Sequence, residues 1–453
     1  MRSRVVLAIC TALALSTSNF SLTPAFAGSV ASGTSDPSSV CTQTVDVTTS
    51  VSVNKYGNDC VITFGRVGTT VWTVPAGVTK LSLLIVAGGG GGGFDVAGGG
   101  GAGGLLYYGG ETPKTPNGDT LTVSSGSFTV VVGDGGTGAT SLSTPLGSDA
   151  TGRGVNGSDT TVTLPSGTVF TAKGGGAGNS RNNPSAAQTG GSGGGGGYGN
   201  GTPSNGGSGT GTGLTLQGYG GGKIVSGNQG GAGGGGAGAV GANWSDSATD
   251  TGGGGNGLQY SISGTPTYYG GGGGGGSWAN KGGPGGLGGG GNGGSMSAAT
   301  CRSNCSTDVL AQTGNPGLSN TGGGGGGSGN ASNSSPGGKG GSGVVIVRFT
   351  LILNATATIS MASGQVMYRT PKTLSVVSSV TGKVDFFANG KAIPACRNVV
   401  ANAGNSYTAQ CSYSAAVHGS IAIKAVLKPS DAGFIGTTSS LAVFNVAKRA
   451  GTR

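Results

Sequence analysis

The fold of this chain depends on residues 85–110, IVAGGGGGGFDVAGGGGAGGLLYYGG. Six consecutive glycines, Gly88 to Gly93, are typical of a flexible linker, because glycine loses the most conformational freedom when it becomes ordered. Here the run follows an apolar strand pattern at Leu81 to Val86 and precedes the aromatic pair Tyr107 and Tyr108. This frame favours an ordered glycine region, and a flexible linker is the alternative.

The composition of the glycine region narrows the fold class. Glycine accounts for 107 of the 453 residues, and 93 of those glycines lie between Gly88 and Gly343. Charged residues make up 8% of the chain against a usual value of about 25%, which argues against charge-rich disorder. A second apolar strand pattern, GVVIVRF at 343–349, closes the region. We therefore expect both ends to be held in one small β-layer.

Runs of glycine suit the extended polyproline II helix, which has three residues per turn. Such helices can pack closely enough for their backbones to hydrogen bond when the side chain is only hydrogen. We predict an all-β fold with a bundle of polyglycine II-type helices and essentially no α-helix outside the signal peptide. Strand-like inserts interrupt the glycine at 120–123, 127–133, 160–165, 168–172 and 258–263.

The N-terminus has the features of a secretory signal peptide at 1–27. Arg2 and Arg4 precede an apolar core, and Ala25-Phe26-Ala27 is a cleavage motif. A Ser/Thr-rich segment follows at 28–61. No later apolar run reaches the roughly 18 residues of a membrane span, so we expect no transmembrane anchor. The predicted location is secreted or extracellular, with non-covalent association with a cell surface as an option.

Removing Cys10 with the signal peptide leaves an even number of cysteines, which favours disulfides in an exported protein. Sequence proximity suggests Cys41–Cys60, Cys301–Cys305 and Cys396–Cys411. Zinc at Cys301 and Cys305 is the competing interpretation, but a second ligand pair is missing nearby and His418 is the only histidine.

The last part of the chain, 352–448, predicts a different β-structure. Only 8 of the 102 residues from 352 to 453 are glycine, and apolar residues alternate with polar ones. Asn389-Gly390 is a strong hairpin signal. Seven strand patterns over this length indicate an Ig-like β-sandwich, followed by a basic tail at 449–453. These patterns lie at 355–361, 372–377, 383–388, 391–394, 407–413, 420–426 and 441–446.

Two segments resemble known families. The stretch 70–93, TVWTVPAGVTKLSLLIVAGGGGGG, resembles the opening of the glycine-rich domain of bacterial exported proteins and some phage tail adhesins, and 340–349, GGSGVVIVRF, resembles its end. This resemblance covers 62–349 and implies a polyglycine-helix bundle, a role in adhesion or display, and no catalytic residues. The stretch 384–394, VDFFANGKAIP, is similar to bacterial Ig-like domains. That similarity implies a stalk or adhesive module.

Catalytic motifs are weak throughout. Gly190 to Gly194 matches G-x-S-x-G, yet a nucleophile elbow needs a strand before it and a helix after it. Lys339 lacks the following Ser or Thr of a P-loop, and Glu111 is the only glutamate available for a carboxylate pair. We expect no catalytic, metal-binding or cofactor-binding residues. A secreted hydrolase using Asp134 or His418, with a glycine-rich spacer, is the least favoured function.

Charge points to a class of partner. The formal net charge of +10 falls to +8 without Arg2 and Arg4, and residues 344–453 carry eleven basic and two acidic side chains. Such a field attracts anionic polymers. Envelope glycopolymers, other carbohydrate or surface proteins are better candidates than nucleic acid, because the chain is predicted to be exported and lacks an aromatic platform. A merely solvated basic surface is the alternative.

We therefore predict an exported, non-enzymatic surface protein with an adhesive or structural role. A rigid glycine-rich scaffold would present aromatic side chains for contact, although aromatic residues can equally close the core. An ice- or surface-binding protein is the second hypothesis, because flat polyglycine bundles with Thr and Asn on the outside can order water. The candidate contact residues are Tyr107, Tyr108, Trp244, Tyr260, Tyr268, Tyr269 and Trp278.

Overall fold

A computed structural model describes most of the chain after residue 50. The described residues are 41, 51–75, 77–112, 117–140, 152–181, 183, 185–198, 206–210, 216–226, 229–245, 252–278, 281–295, 312–329, 335–361, 364–431 and 433–448. They all belong to the second of two compact units, Ser35–Arg453. The predicted signal peptide at 1–27, the pair Cys301 and Cys305, and the basic tail lie outside the described residues.

The described part is essentially all-β, as predicted. The strands up to the end of the glycine region are β1 (Val51–Tyr56), β2 (Asp59–Phe64), β3 (Gly68–Thr73), β4 (Lys80–Val86), β5 (Leu105–Tyr108), β6 (Asn117–Gly118), β7 (Leu121–Thr122), β8 (Ser127–Val132), β9 (Thr160–Thr163), β10 (Val169–Ala172), β11 (Leu258–Tyr260), β12 (Thr267–Tyr269) and β13 (Val344–Thr350). The first sheet has the order β1-β2-β13-β4-β5-β6, with β7 against β4. The second sheet has the order β10-β9-β8-β3, and β11 pairs with β12.

The two strands that bound the glycine region are neighbours. β4 and β13 pair antiparallel, with Ile85 opposite Val345. The chain between 87 and 343 therefore leaves and re-enters the same sheet. This confirms the prediction that one β-layer holds both ends.

The first sheet is covered on both faces. One face packs against the second sheet around Trp72, whose ring centroid lies 5.2 Å from that of Phe128 and 5.7 Å from that of Phe349. The other face packs against the glycine region through Tyr260 and Tyr269. Burial on both faces explains why β4 ends in a continuous apolar run instead of an alternating pattern.

The glycine tracts lie outside the strands and pair with one another through their backbones. From Gly88 to Gly93, successive N–H groups point to three different neighbouring segments, and the same neighbour returns at every third residue. The donor–acceptor pairs are Gly88–Ser158 and Gly91–Val155, Gly89–Gly341 and Gly92–Gly338, and Gly90–Gly101 and Gly93–Gly98, with N···O distances of 2.8–3.1 Å.

Glycine is required in these tracts for steric reasons. A methyl group on Gly100 would overlap the carbonyl oxygen of Gly90, and one on Gly92 would overlap that of Gly326. The same clash with a backbone carbonyl recurs through most of the tracts. The interior of this region is therefore built from main chain alone, which the flexible-linker alternative does not explain.

The C-terminal part forms two sheets around a common core. Its strands are β14 (Leu353–Asn354), β15 (Ala357–Met361), β16 (Val366–Met367), β17 (Pro371–Ser378), β18 (Gly382–Ala388), β19 (Lys391–Ala392), β20 (Val399–Ala401), β21 (Thr408–Ser414), β22 (Gly419–Pro429), β23 (Phe434–Ile435), β24 (Thr437–Thr438) and β25 (Ala442–Ala447). One sheet is β15-β17-β21, and the other is β16-β25-β22-β18-β19 with β20 against β18 and β24 against β22. Leu374 of the first and Phe386 of the second share the core.

The hairpin signal in this part is confirmed, and the predicted strand that follows it is shorter than expected. Asn389 and Gly390 have φ values of 45° and 79° and connect β18 to β19, as a type I′ hairpin requires. The strand predicted at 391–394 is shorter, because a 3-10 turn begins at Pro394. Proline has no N–H to give to a ladder, and its fixed φ suits the first position of a helical turn.

Two of the predicted disulfides are present. Cys41 bonds to Cys60 and Cys396 bonds to Cys411, each with a Cα–Cα distance of 5.6 Å. The first ties the segment before β1 to the first sheet, and the second joins β21 to the turn after β19. Disulfides persist in oxidising compartments, so these two bonds indicate such an environment.

Candidate functional site

Four of the seven candidate contact residues are part of the core. Tyr107, Tyr260, Tyr269 and Trp244 have at most 4% of their surface exposed. Tyr107 stacks on Tyr260 with 4.2 Å between ring centroids. Trp244 packs with Ile224 in a separate small cluster. The sequence left contact and core packing open for these side chains, and the structure places these four in the core.

The other three candidates are more accessible. Tyr108 is half-buried against Phe170, with 4.8 Å between ring centroids. Tyr268 and Trp278 are exposed, at 38% and 39%. Tyr268 belongs to β12, beside the first sheet, whereas Trp278 belongs to another part of the glycine region. Of these three side chains, Trp278 is the one with a cation, Arg181, over its ring.

Trp278 lies near the end of the glycine region that is opposite the first sheet. The tract from Gly88 runs outward and reverses at 94–96, where the Gly93 N–H donates to the Gly98 carbonyl. At the sheet end, the Ala87 N–H donates to the Gly104 carbonyl. We call the turn 94–96 and the side chains around it the tip.

The Arg181 guanidinium lies at the centre of the tip. The guanidinium carbon of Arg181 lies 5.5 Å from the ring centroid of Tyr198 and 5.4 Å from that of Trp278. Its Nη1 lies 3.5 Å from Oδ2 of Asp95. The Tyr198 N–H donates to the carbonyl of Val96, which holds the Tyr198 main chain beside the turn. Two aromatic rings and one carboxylate thus surround a single arginine.

The turn carries conformational and hydrogen-bonding strain. Asp95 and Val96 have φ values of 66° and 46°, a region that a β-branched residue rarely adopts. Asp95 is 2% exposed, and its N–H donates to the Ser328 hydroxyl at 2.7 Å. Within the part of the chain that the structure describes, Asp95 Oδ1, Arg181 Nε and Asn183 Nδ2 are buried without a hydrogen-bond partner. Strain and unsatisfied buried groups of this kind concentrate at functional sites.

The tip should respond to pH in a defined direction. Burial raises the pKa of the Asp95 carboxyl, and the opposing effect of Arg181 is smaller. A raised pKa means that stability from Asp95 is fully present below its unfolded-state pKa of about 3.9 and is lost as pH rises through the folded value. We expect Asp95→Asn to match wild type near pH 4 and to become more stable than wild type toward pH 7. Melting temperatures across this range measure the difference.

Asp385 provides a control of opposite sign. The hydrogen bond from Lys428, 2.7 Å long, holds the pKa of the Asp385 carboxyl below its usual range. Its stabilisation is present above the unfolded pKa and is lost as pH falls through the folded value. Asp385→Asn should therefore lose stability at pH 7. If the melting temperatures of wild type and Asp95→Asn instead change in the same way with pH, Asp95 is not the group whose titration changes the stability.

The residues considered for hydrolase chemistry lie apart. Ser192 is buried in the glycine region, and Asp134 pairs with Lys339 at 2.8 Å. His418 is exposed and lies against Tyr368, with 4.5 Å between ring centroids. The described contacts do not join them into one constellation.

Sequence reasoning identified Trp278 but missed its neighbours. Asp95 and Arg181 are 86 residues apart, and the contact between them depends on how the tracts are arranged. One signal was available, because the four residues Phe94 to Ala97 separate two pure glycine runs, Gly88 to Gly93 and Gly98 to Gly101. A carboxylate and two bulky apolar residues in that break mark the turn.

Comparison with known families gives one match. The sequence model of the glycine-rich domain matches residues 64–350, which is more than half of the chain. The chain belongs to the glycine-rich domain family. The matched range differs from the predicted 62–349 by two residues at one end and one at the other. No curated protein and no solved structure matches the chain.

The matched range begins at the last residue of β2 and ends at the last residue of β13, so it contains β4, β13 and the glycine tracts between them. The tip is internal to this unit. Among the residues that the structure describes, no helix is long and apolar enough to cross a bilayer.

Proposed function

We propose that this protein is an exported, non-enzymatic surface protein that uses a rigid glycine-rich scaffold to hold an adhesive tip away from its β-layer. The observation that carries the proposal is the backbone pairing of the glycine tracts, with both ends in neighbouring strands. A scaffold whose N–H groups are bonded to other tracts resists bending at every residue. Loops at its far end are thereby presented in fixed positions.

The tracts form, on this proposal, a bundle of polyglycine II-type helices. Hydrogen bonds that return to the same neighbour at every third residue support this assignment, because that helix has three residues per turn. Exclusion of a Cβ by adjacent carbonyls supports it as well.

The C-terminal part would act as an Ig-like β-sandwich that attaches the molecule to anionic envelope glycopolymers. Two sheets on a common core support the sandwich. Lys383 lies directly opposite Lys428 on neighbouring strands, and Lys424 is also exposed on β22. Asp385 neutralises one of these charges, and the rest favour an anionic partner.

At the tip, Trp278 is the proposed contact residue, with carbohydrate as the ligand class. Its exposed indole offers an apolar face for stacking on a sugar ring, and Arg181 supports the ring through a cation–π contact. Aromatic residues held in place in this way lose little entropy on binding.

A glycan array with neutral, uronic-acid-containing and phosphate-containing bacterial oligosaccharides tests this function. We expect wild-type protein lacking residues 1–27 to bind at least one class and Trp278→Ala to weaken that binding about 30-fold, the effect typical of a tryptophan hot spot. Tyr268→Ala is the matched control, because its side chain is equally exposed at the sheet end. Absence of binding to every class, or equal losses in both variants, would refute the adhesive tip.

A further inference from the structure

The outward face of the second sheet has an unusual composition. Alternate residues of its four strands point to the core, including Trp72, Phe128 and Val162, and the others are exposed or half-buried. Six of the ten outward positions are threonine, three are valine and one is serine. They are Thr69, Val71, Thr73, Ser127, Thr129, Val131, Thr161, Thr163, Val169 and Thr171.

Strand register arranges these side chains in rows. Two rows cross all four strands, and Thr73 and Ser127 form a third, shorter row in which their hydroxyls hydrogen bond at 3.1 Å. The complete rows are Val71-Thr129-Thr163-Val169 and Thr69-Val131-Thr161-Thr171.

The rows make a two-dimensional lattice. Neighbouring strands lie about 4.8 Å apart, and outward residues repeat about every 6.7 Å along a strand, so the face measures roughly 14 Å by 13 Å. Threonine is stiff at χ1, so each side chain holds one hydroxyl and one methyl group in a nearly fixed position. The lattice is therefore ordered before any ligand arrives.

The face is electrically neutral. None of its ten residues is charged, and the charged side chains at the ends of β9 and β10, Asp159 and Lys173, pair with each other at 2.8 Å. The ten residues therefore offer no charged side chain to pair with an anionic or cationic partner. The ten residues also include no aromatic ring on which a sugar could stack.

We propose that this face binds ice. An ice surface is neutral and presents oxygen atoms at a regular spacing of a few ångström, which matches a lattice of hydroxyl and methyl groups that can hold ordered first-shell water. This activity goes beyond adhesion, and it involves neither the tip nor the C-terminal sheets.

Sheet twist sets the strength of the interaction. Adjacent strands rotate by about 20–25°, so the lattice matches a planar crystal face over two neighbouring strands at a time. We therefore expect ice-crystal shaping and inhibition of recrystallisation instead of a large depression of the freezing point.

The test uses purified protein without residues 1–27, viewed by ice microscopy during slow growth and annealing. Wild type should give faceted crystals and slow recrystallisation. Thr129→Lys places a charge in the middle of the lattice and should abolish both effects. Thr373→Lys is the matched control, because Thr373 is an exposed strand residue in the C-terminal part and its replacement should change neither effect.

Circular dichroism establishes that both variants fold, and Thr129→Val provides a second variant that keeps the side-chain shape and removes one hydroxyl. A partial loss with Thr129→Val and complete loss with Thr129→Lys would support the lattice. Round crystals with wild-type protein, or equal activity in Thr129→Lys, would overturn the proposal. Binding to crystalline cellulose or chitin through Thr129, without ice shaping, would replace ice with a polysaccharide surface.

Discussion

Gly100→Val is expected to unfold the glycine region. The new side chain would overlap the carbonyl oxygen of Gly90, which belongs to a tract held by its own hydrogen bonds. Gly100 also donates to Gly325 at 2.8 Å, so the tract cannot shift without breaking further pairs. Overpacking typically costs about 1–3 kcal/mol and sometimes more, and we expect the upper end here because the clash is with main chain; this is a large part of the stability of a typical domain.

Calorimetry and amide exchange measure this effect together. In wild type, the N–H groups of the glycine tracts should exchange slowly because they are paired, whereas in Gly100→Val they should approach the free-chain rate. Gly110→Ala is the matched control, because a methyl group there meets no atom within 4 Å. It should leave stability unchanged or raise it by about 0.5 kcal/mol. Fast exchange in wild type would instead mean that the tracts are solvated.

Trp244→Ala is expected to cost about 3–5 kcal/mol, the usual penalty for emptying a large aromatic site in a core. Trp244 is 1% exposed, and its indole packs so tightly on Gly230 that a methyl group at that position would overlap the ring. Trp278→Ala should cost about 1 kcal/mol or less, since Trp278 is exposed and loses mainly one cation–π contact.

Urea denaturation of both tryptophan variants, followed by circular dichroism, checks this difference. The comparison also separates structure from adhesion, because only Trp278→Ala should remain folded while losing glycan binding. Similar destabilisation of the two variants would place Trp278 in the core and remove it as a contact residue.

Much of the fold was accessible from local sequence. The apolar patterns of β4 and β13 identified both ends of the glycine region, and Asn389-Gly390 identified a hairpin, because each depends on residues close in the chain. Proximity of Cys41 to Cys60 and of Cys396 to Cys411 was enough to predict two disulfides. These features share short-range physical causes.

The site depended on long-range arrangement instead. A tyrosine or tryptophan beside glycine has the same pattern whether it closes a core, as Trp244 does, or faces solvent, as Trp278 does. Burial of Asp95 against Arg181 likewise follows from the order in which the tracts pack, which glycine repeats do not encode locally. The threonine lattice could not be predicted for a related reason, because its four strands are separated in sequence and align only through their register.

The three-residue repeat of the backbone pairing means that a residue's position within its tract determines which neighbouring tract its N–H pairs with. Adding three glycines would advance a tract by one full repeat and leave each N–H aimed at its former neighbour. Adding one would turn every following donor by a third of a revolution, toward a different neighbour. Tract lengths in such a scaffold can therefore grow or shrink in steps of three without changing which neighbours pair.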